Sequence, residues 1–323
     1  MLYLESATRS QSKEEMVLNF MFDEKIDILE DNLLNYSKKM LNILLADRTT
    51  KKNIIWATND YYDLYCEGYE SYREIFVESI SGMFSNIIQP RVAKSKEKQI
   101  ERTRKKAEVF TPAWVCNVQN NVVDEIWFGR KDTFNAQGEK SWVTNLNKIE
   151  FSSEKTWQMY VELNRLEFCC GEAPYLVSRY DNATGKAIEL KNRIGILDRK
   201  LRVVSENASS KEEWIEWALR AVQSTYGFEY QGDNVLIARE NILYTYIDYY
   251  KDFNQTDPDE STLLEVAKVI SWNIWQMDGL TNKPPIIYSK DRSISDKNNT
   301  PYCKIKNWKT GKSVIFKSIS NGK

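Results

Sequence analysis

The sequence predicts an α/β chain: a helical module followed by a parallel, doubly wound sheet. Three observations carry that reading. Apolar residues recur at helical spacing through the first third of the chain. From Glu108 onward short β-prone runs alternate with capped helical stretches, the pattern that places helices between parallel strands. Several of those runs also end in a glycine or a carboxylate, where such a sheet holds its ligands.

The helical module is expected over residues 1–106. Leu29, Leu33, Leu34, Met40, Leu41 and Leu44 lie mostly three or four apart and make one apolar stripe. A second helix is predicted through Tyr72, Ile75, Phe76, Ile80, Met83, Phe84 and Ile87, ending before Pro90. The stretch from Arg91 to Lys106 holds eight basic and two acidic residues and reads as a charged helix or linker. The sheet region is expected over 107–285. Leu166 to Cys170 reads as a strand closing in a glycine turn, and Leu201 to Val204 as a second strand. Ser210 and Glu213 form a capping-box pair ahead of a helix with Trp214, Trp217, Ala221 and Val222 on one side. Thr225 to Tyr230 follows as a strand and Asn234 to Tyr250 as a long helix. Thr262 with Glu265 opens another helix, and Asn273 to Gln276 is a strand running into Asp278-Gly279. Residues 286–323 form a basic tail, in which Tyr302–Trp308 and Ser313–Ile319 flank Thr310-Gly311 as a hairpin.

Composition narrows the chemistry. With 42% hydrophobic and 28% charged residues, the 323-residue chain suits a soluble globular protein. Histidine is absent, which removes Ser–His and Cys–His nucleophilic chemistry and imidazole metal ligation. Five cysteines without paired spacing point to a reduced, cytoplasmic protein and away from zinc. Met1 to Asn19 lacks the apolar stretch of a signal peptide, and no apolar run is long enough to span a membrane. The net charge of −1 hides two basic stretches, Arg91–Lys106 and Lys283–Lys323, the second with ten basic and two acidic residues. Both can meet phosphates by displacing counterions, or serve as solvated faces.

Four segments stand out for their order: Glu108-Val109-Phe110-Thr111-Pro112; Leu166-Glu167-Phe168-Cys169-Cys170-Gly171-Glu172-Ala173-Pro174-Tyr175; Tyr226-Gly227-Phe228-Glu229-Tyr230 with Asp233-Asn234 behind it; and Asn273-Ile274-Trp275-Gln276-Met277-Asp278-Gly279-Leu280. A strand carrying a carboxylate and then a glycine lets the backbone approach a nucleoside closely. Glu229, at the tip of the next strand, is placed to accept from a ribose diol, with Asp233 or Asn234 capping the helix that follows. Asp278, at a third strand end, can accept from an adenine amino group.

Taken together, the ordered set resembles the adenine-N6 DNA methyltransferases of type I and type IIG restriction–modification systems, over about residues 105 to 285. The resemblance implies a partial Rossmann-like, S-adenosylmethionine-dependent methyltransferase domain preceded by an α-helical module. It implies that Phe110, Thr111 and Pro112 line the methionine end of the cofactor. It matches Glu167, Cys170 and Gly171 to the glycine motif, Glu229 to the ribose-binding acid with Tyr230 beside the adenine ring, and Asp278 to the adenine-contacting acid.

Two departures matter. The family's second glycine is replaced by Ala173-Pro174, which predicts an extra methyl group near the cofactor and one N–H donor fewer. The catalytic motif, Asn or Asp followed by Pro-Pro and an aromatic residue, holds the amino group of a flipped-out adenine. Here the only Pro-Pro pair sits in Lys283-Pro284-Pro285-Ile286, where lysine is no acceptor and isoleucine cannot stack as a ring does. The resemblance therefore implies a chain inactive alone, acting on double-stranded DNA in a restriction–modification or phage-defence setting. A second polypeptide would supply the catalytic motif and target recognition. The competing reading is a catalytically dead methyltransferase-like module that senses cofactor or DNA, or inhibits another protein. A third pattern, Asp181 with Glu189-Leu190-Lys191, has the spacing of metal-dependent nucleases but lacks their strand–strand–helix context.

Overall fold

The structure is a computed structural model that describes residues 30–37, 39–106, 108–109, 111–285 and 300–320. Leu29, Phe110 and residues 286–299 lie outside the described set.

The chain is mixed α/β. Its centre is a three-stranded parallel sheet in the order β3 (Arg165–Phe168), β4 (Thr225–Glu229), β5 (Ile274–Gln276). These are three of the strands expected from the sequence, each one residue shorter and the first beginning one residue earlier, at Arg165. An antiparallel hairpin, β1 (Asn135–Gly138) with β2 (Ser141–Thr144), precedes the sheet. A second hairpin, β6 (Lys304–Lys306) with β7 (Ser313–Ile315), follows it and leads into the short helix Phe316–Ser320, where the sequence reading had continued the strand.

Side-chain alternation divides the sheet into two faces. Cys170 and Ile274 join the main core with the helices Ile196–Asn207, Lys211–Gln223, Gly232–Asn254 and Glu260–Asn273. On the opposite face Phe228, Trp275 and Met277 pack in a smaller cluster with Cys303 and Phe316 of the C-terminal hairpin region. The helical links β3–β4 and β4–β5 therefore lie on one face, and the hairpin covers part of the other. Among the described residues β3 pairs on one side only, and its Phe168 is 67% exposed.

The N-terminal helices share the main core. Leu33, Met40, Leu41 and Leu44 are buried as the expected stripe requires, and Met40–Leu45 packs on Glu260–Asn273. The fully buried Arg239 ties the two parts through the carbonyls of Leu44, Ala46 and Ile274.

Three sequence expectations are corrected. The 72–87 stretch is not a helix: it holds a bridge from Glu74 to Ile55 and two 3₁₀ turns, Val77–Ser79 and Gly82–Phe84. The cause is local, because the Ser79 and Ser81 hydroxyls donate to the carbonyls of Phe76 and Val77 and Gly82 turns at φ +63°. Leu201–Val204 is not a strand but the middle of the helix Ile196–Asn207, capped where Asp198 accepts from the Gly195 N–H at 3.2 Å. A short, fully buried apolar run carries no period that separates helix from strand. The last long helix, Glu260–Asn273, is capped three residues before Thr262, because Asp259 accepts from the Thr262 N–H at 2.9 Å. Ser210 caps its helix as expected, while Glu213 reaches back to Ser209, one residue further than a capping box requires. Among the described residues no helix is long and apolar enough to cross a membrane.

Candidate functional site

A cleft of about 770 Å³ opens at the carboxyl ends of β3 and β4. Its floor is set by the loop leaving β3. Cys169, Gly171 and Ala173 all turn through positive φ (+50°, +52° and +66°), and the Cys170 N–H returns to the Phe228 carbonyl at 2.9 Å. Gly227 on β4 makes room for this loop, since a Cβ there would lie 3.1 Å from the Cys170 sulfur.

Seven of the nine residues expected at a cofactor site line this single cleft: Thr111, Glu167, Cys170, Gly171, Glu229, Tyr230 and Asp278. Pro112 does not line it; it precedes the helix Ala113–Phe128 and its carbonyl accepts from the Val115 and Cys116 N–H groups. Phe110 lies outside the described residues. The extra methyl of Ala173 does not enter the cleft. Ala173 is fully buried in the main core and only its neighbours Glu172 and Pro174 face the opening, so the expected steric obstacle is absent.

The carboxylates differ in how they are held. Glu229 accepts from the Gly171 N–H at 3.0 Å through Oε2 and from the Gln231 N–H at 3.1 Å through Oε1. Burial raises its pKa against the pull of those two N–H groups. Glu167 faces the same space with Oε2 buried and without a hydrogen-bond partner. Burial pushes its carboxyl well above the usual carboxylate range against the pull of the Tyr175 and Leu176 N–H groups, and neighbouring Glu229 adds to the rise. Asp278 sits in a tight turn, its carboxylate accepting from the Leu280 N–H at 2.8 Å and its own N–H donating to the Lys283 carbonyl at 2.8 Å. Tyr230 and Leu280, 39% and 95% exposed, form the apolar part of the rim.

Part of the wall comes from residues the motifs did not reveal. Gln276 at the end of β5 holds both backbone groups of Ile55, at 2.9 and 2.8 Å, and the Gly232 N–H reaches Trp56 O at 3.1 Å. This brings Ala57 to the cleft. Nothing near Ala57 in the sequence signals the contact, since the residues that fasten its neighbours Ile55 and Trp56 lie more than 170 positions away. Lys105 and Glu108 also line the cleft, and Glu108 belongs to the segment quoted for the Thr-Pro motif.

Asp233 does not cap the helix after β4. The N-cap is Gln231, and the fully buried Asp233 instead accepts from Tyr61 Oη at 2.7 Å and pairs with Lys94 at 3.2 Å and Arg102 at 3.0 Å. Burial alone would raise its pKa, but the two cations hold it well below the carboxylate range. Arg102 also binds Glu108, Asp60 and Gln231. Two of the eight basic residues of the Arg91–Lys106 stretch are thus internal struts, while Lys96, Lys98 and Arg104 remain exposed.

Two sequence patterns resolve away from the cleft. Pro284 and Pro285 are buried and line no part of it. Asp181 accepts from the Ala113 N–H at 2.7 Å and from Ala183 and Thr184, while Glu189 pairs with Lys191 on the surface. The nuclease spacing is accordingly used for a turn and a helix start, and among the described residues no acidic or cysteine cluster could hold a metal ion. No family model matches the chain, nor does any curated protein or solved structure.

Proposed function

We propose that this chain is the S-adenosylmethionine-binding subunit of a split adenine-N6 DNA methyltransferase, with the catalytic motif supplied by a second polypeptide. The observation that carries the proposal is the convergence of Thr111, Glu167, Cys170, Gly171, Glu229, Tyr230 and Asp278, spread over nearly 170 positions, on one cleft at the carboxyl ends of adjacent parallel strands. The donor set suits the cofactor. Glu229 would accept from the ribose hydroxyls, Asp278 would accept from the adenine amino group, and the partnerless Glu167 oxygen would accept a hydrogen bond from the ligand's ammonium group. When bound, the cofactor supplies an electrophilic methyl group on a sulfonium, and the protein's part is to orient it.

The split arrangement rests on two further features. These residues contain no Asn/Asp-Pro-Pro-aromatic motif, and the one Pro-Pro pair is buried away from the cleft. Among the described residues β3 borders the cleft as an edge strand, with Phe168 exposed. A strand added to that edge would bring its own loop beside the glycine turn. Double-stranded DNA is the substrate of the assembled pair, with the five lysines of residues 300–320, unaccompanied by acids, available to its phosphates. The missing motif equally suits a catalytically dead module that senses cofactor or DNA, or inhibits another protein.

Calorimetric titration of S-adenosylmethionine into the purified chain tests the site. Micromolar binding that is lost in Glu229→Ala is expected; absence of binding in the chain alone and in the presence of a polypeptide carrying Asn-Pro-Pro-Tyr would sink the proposal. Methyl transfer to DNA only when that polypeptide is added separates the split enzyme from the inactive module.

A further inference from the structure

We infer that the Asn234 side-chain amide sets the cleft's preference for a ribose diol, admitting a ribonucleoside and rejecting the deoxyribonucleoside that DNA carries; this rests on the proposed cofactor site. Two amide side chains line the cleft, Gln231 and Asn234. Gln231 is already engaged, its Oε1 accepting from Arg102 Nη2 at 2.9 Å. Asn234 is 1% exposed, its Oδ1 is buried without a hydrogen-bond partner, and its Nδ2 donates to no described residue. Buried amides in folded proteins are almost always paired, because one left unpaired costs stability. Asn234 is the third residue of the helix Gly232–Asn254, past the cap at Gln231, so capping does not account for it.

The amide is held in place through its backbone. Its N–H donates to Asp233 Oδ1 at 2.9 Å, and Asp233 is itself fixed by Tyr61, Lys94 and Arg102. The Val235 N–H closes the same turn on the Gln231 carbonyl at 3.0 Å. That turn follows β4 directly, and Glu229 is drawn to it by the Gln231 N–H at 3.1 Å. An acceptor-only carboxylate and an amide that both donates and accepts therefore open on the same part of the cleft. A ribose diol suits the two together: Glu229 accepts from the hydroxyls, and the amide donates to a hydroxyl oxygen or accepts from it. A deoxyribose sets a C–H against one of these groups and leaves a buried polar atom unpaired, the penalty by which a site built for a hydroxyl rejects the analogue lacking it. An enzyme that takes a ribonucleoside cofactor and modifies a deoxyribonucleoside needs that distinction.

Titration of S-adenosylmethionine and of its 2′-deoxyribose analogue into the full chain tests this. The ribose form is expected to bind at least about tenfold more tightly than the deoxyribose form. Asn234→Ala and Asn234→Leu are two variants of different volume, and their melting temperatures report whether each folds. Both should weaken S-adenosylmethionine by about tenfold and bring the two ligands to within about threefold of each other. Equal binding of the two ligands by the parent, or a preference left unchanged in a folded variant, would overturn the role of Asn234 while leaving the cofactor site standing. Failure of S-adenosylmethionine to bind at millimolar concentration, alone and with a polypeptide carrying Asn-Pro-Pro-Tyr, would overturn both.

Discussion

Replacing Gly232 by alanine sets two effects against each other. Gly232 is the first residue of the helix Gly232–Asn254, so propensity alone predicts a gain of up to about 1 kcal/mol from the added methyl. Sterics predict the opposite, because a Cβ at this position would lie 2.0 Å from the Ile55 carbonyl oxygen. That oxygen cannot simply retreat: Gln276 grips both backbone groups of Ile55, and the Gly232 N–H is bonded to Trp56 O at 3.1 Å. Overpacking costs about 1–3 kcal/mol, and each of the hydrogen bonds that must loosen adds about 1 kcal/mol. The net expectation for Gly232→Ala is a loss of roughly 3 kcal/mol, or about 4–5 °C in melting temperature for a chain of 323 residues. Circular dichroism melts read this directly. Gly311→Ala is the control, since its φ is +70° and nothing lies within 4 Å of the added methyl; its cost is the backbone term alone, about 1 kcal/mol. A Gly232→Ala protein as stable as the parent, or more so, would refute the steric argument and with it the account of how the N-terminal segment is fastened.

Asp233→Asn should cost about 3–5 kcal/mol at neutral pH, because it leaves Arg102 and Lys94 buried with less countercharge. The folded pKa of Asp233 is depressed, so its stabilisation is complete above the unfolded value near 3.9 and is lost as pH falls below it; urea titrations should show the gap between parent and variant closing in acid. Asp198 behaves oppositely: burial raises its pKa to about 6, so the folded state binds more protons and stability falls as pH rises through the window from about 4 to 6. Asp198→Asn should remove that fall, worth roughly 3 kcal/mol, and an unchanged pH profile would count against the assignment. Phe168→Ser should change the melting temperature little, about 1 kcal/mol at most for so exposed a side chain, while weakening co-purification with a polypeptide carrying Asn-Pro-Pro-Tyr.

The parallel strands and most of the candidate site were legible because their signals are local. Each strand is a short β-prone run, and Glu167, Cys170, Gly171, Glu229, Tyr230 and Asp278 lie at or just beyond a strand end, where a chemical type and a position coincide. Errors arose where the deciding interaction was absent from the local pattern. Leu201, Val203 and Val204 are buried on all sides, so a helical turn and a strand look alike there. The apolar spacing from Tyr72 to Ile87 was real, but serine hydroxyls competing for carbonyls outweighed it. Ala173 was misjudged in a different way: the residue type was read correctly, whereas the direction of its methyl group depends on a backbone turn at φ +66°. Ala57 and the Arg102–Asp233 cluster gave no signal, because their meaning depends on partners far along the chain.

The clasp between Gln276 and Ile55 spans 221 positions, and it constrains the order in which the molecule can be made. Contacts of such long sequence separation close late, since a long loop must be ordered before they form. The wall carrying Ala57 cannot settle until β5 has left the ribosome. A nascent chain that has already produced the glycine turn and β4 therefore still has an unfinished cleft. Chains that end before residue 276 lack the side chain that holds Ile55, and the Ala57 wall of the cleft should stay unfastened in them.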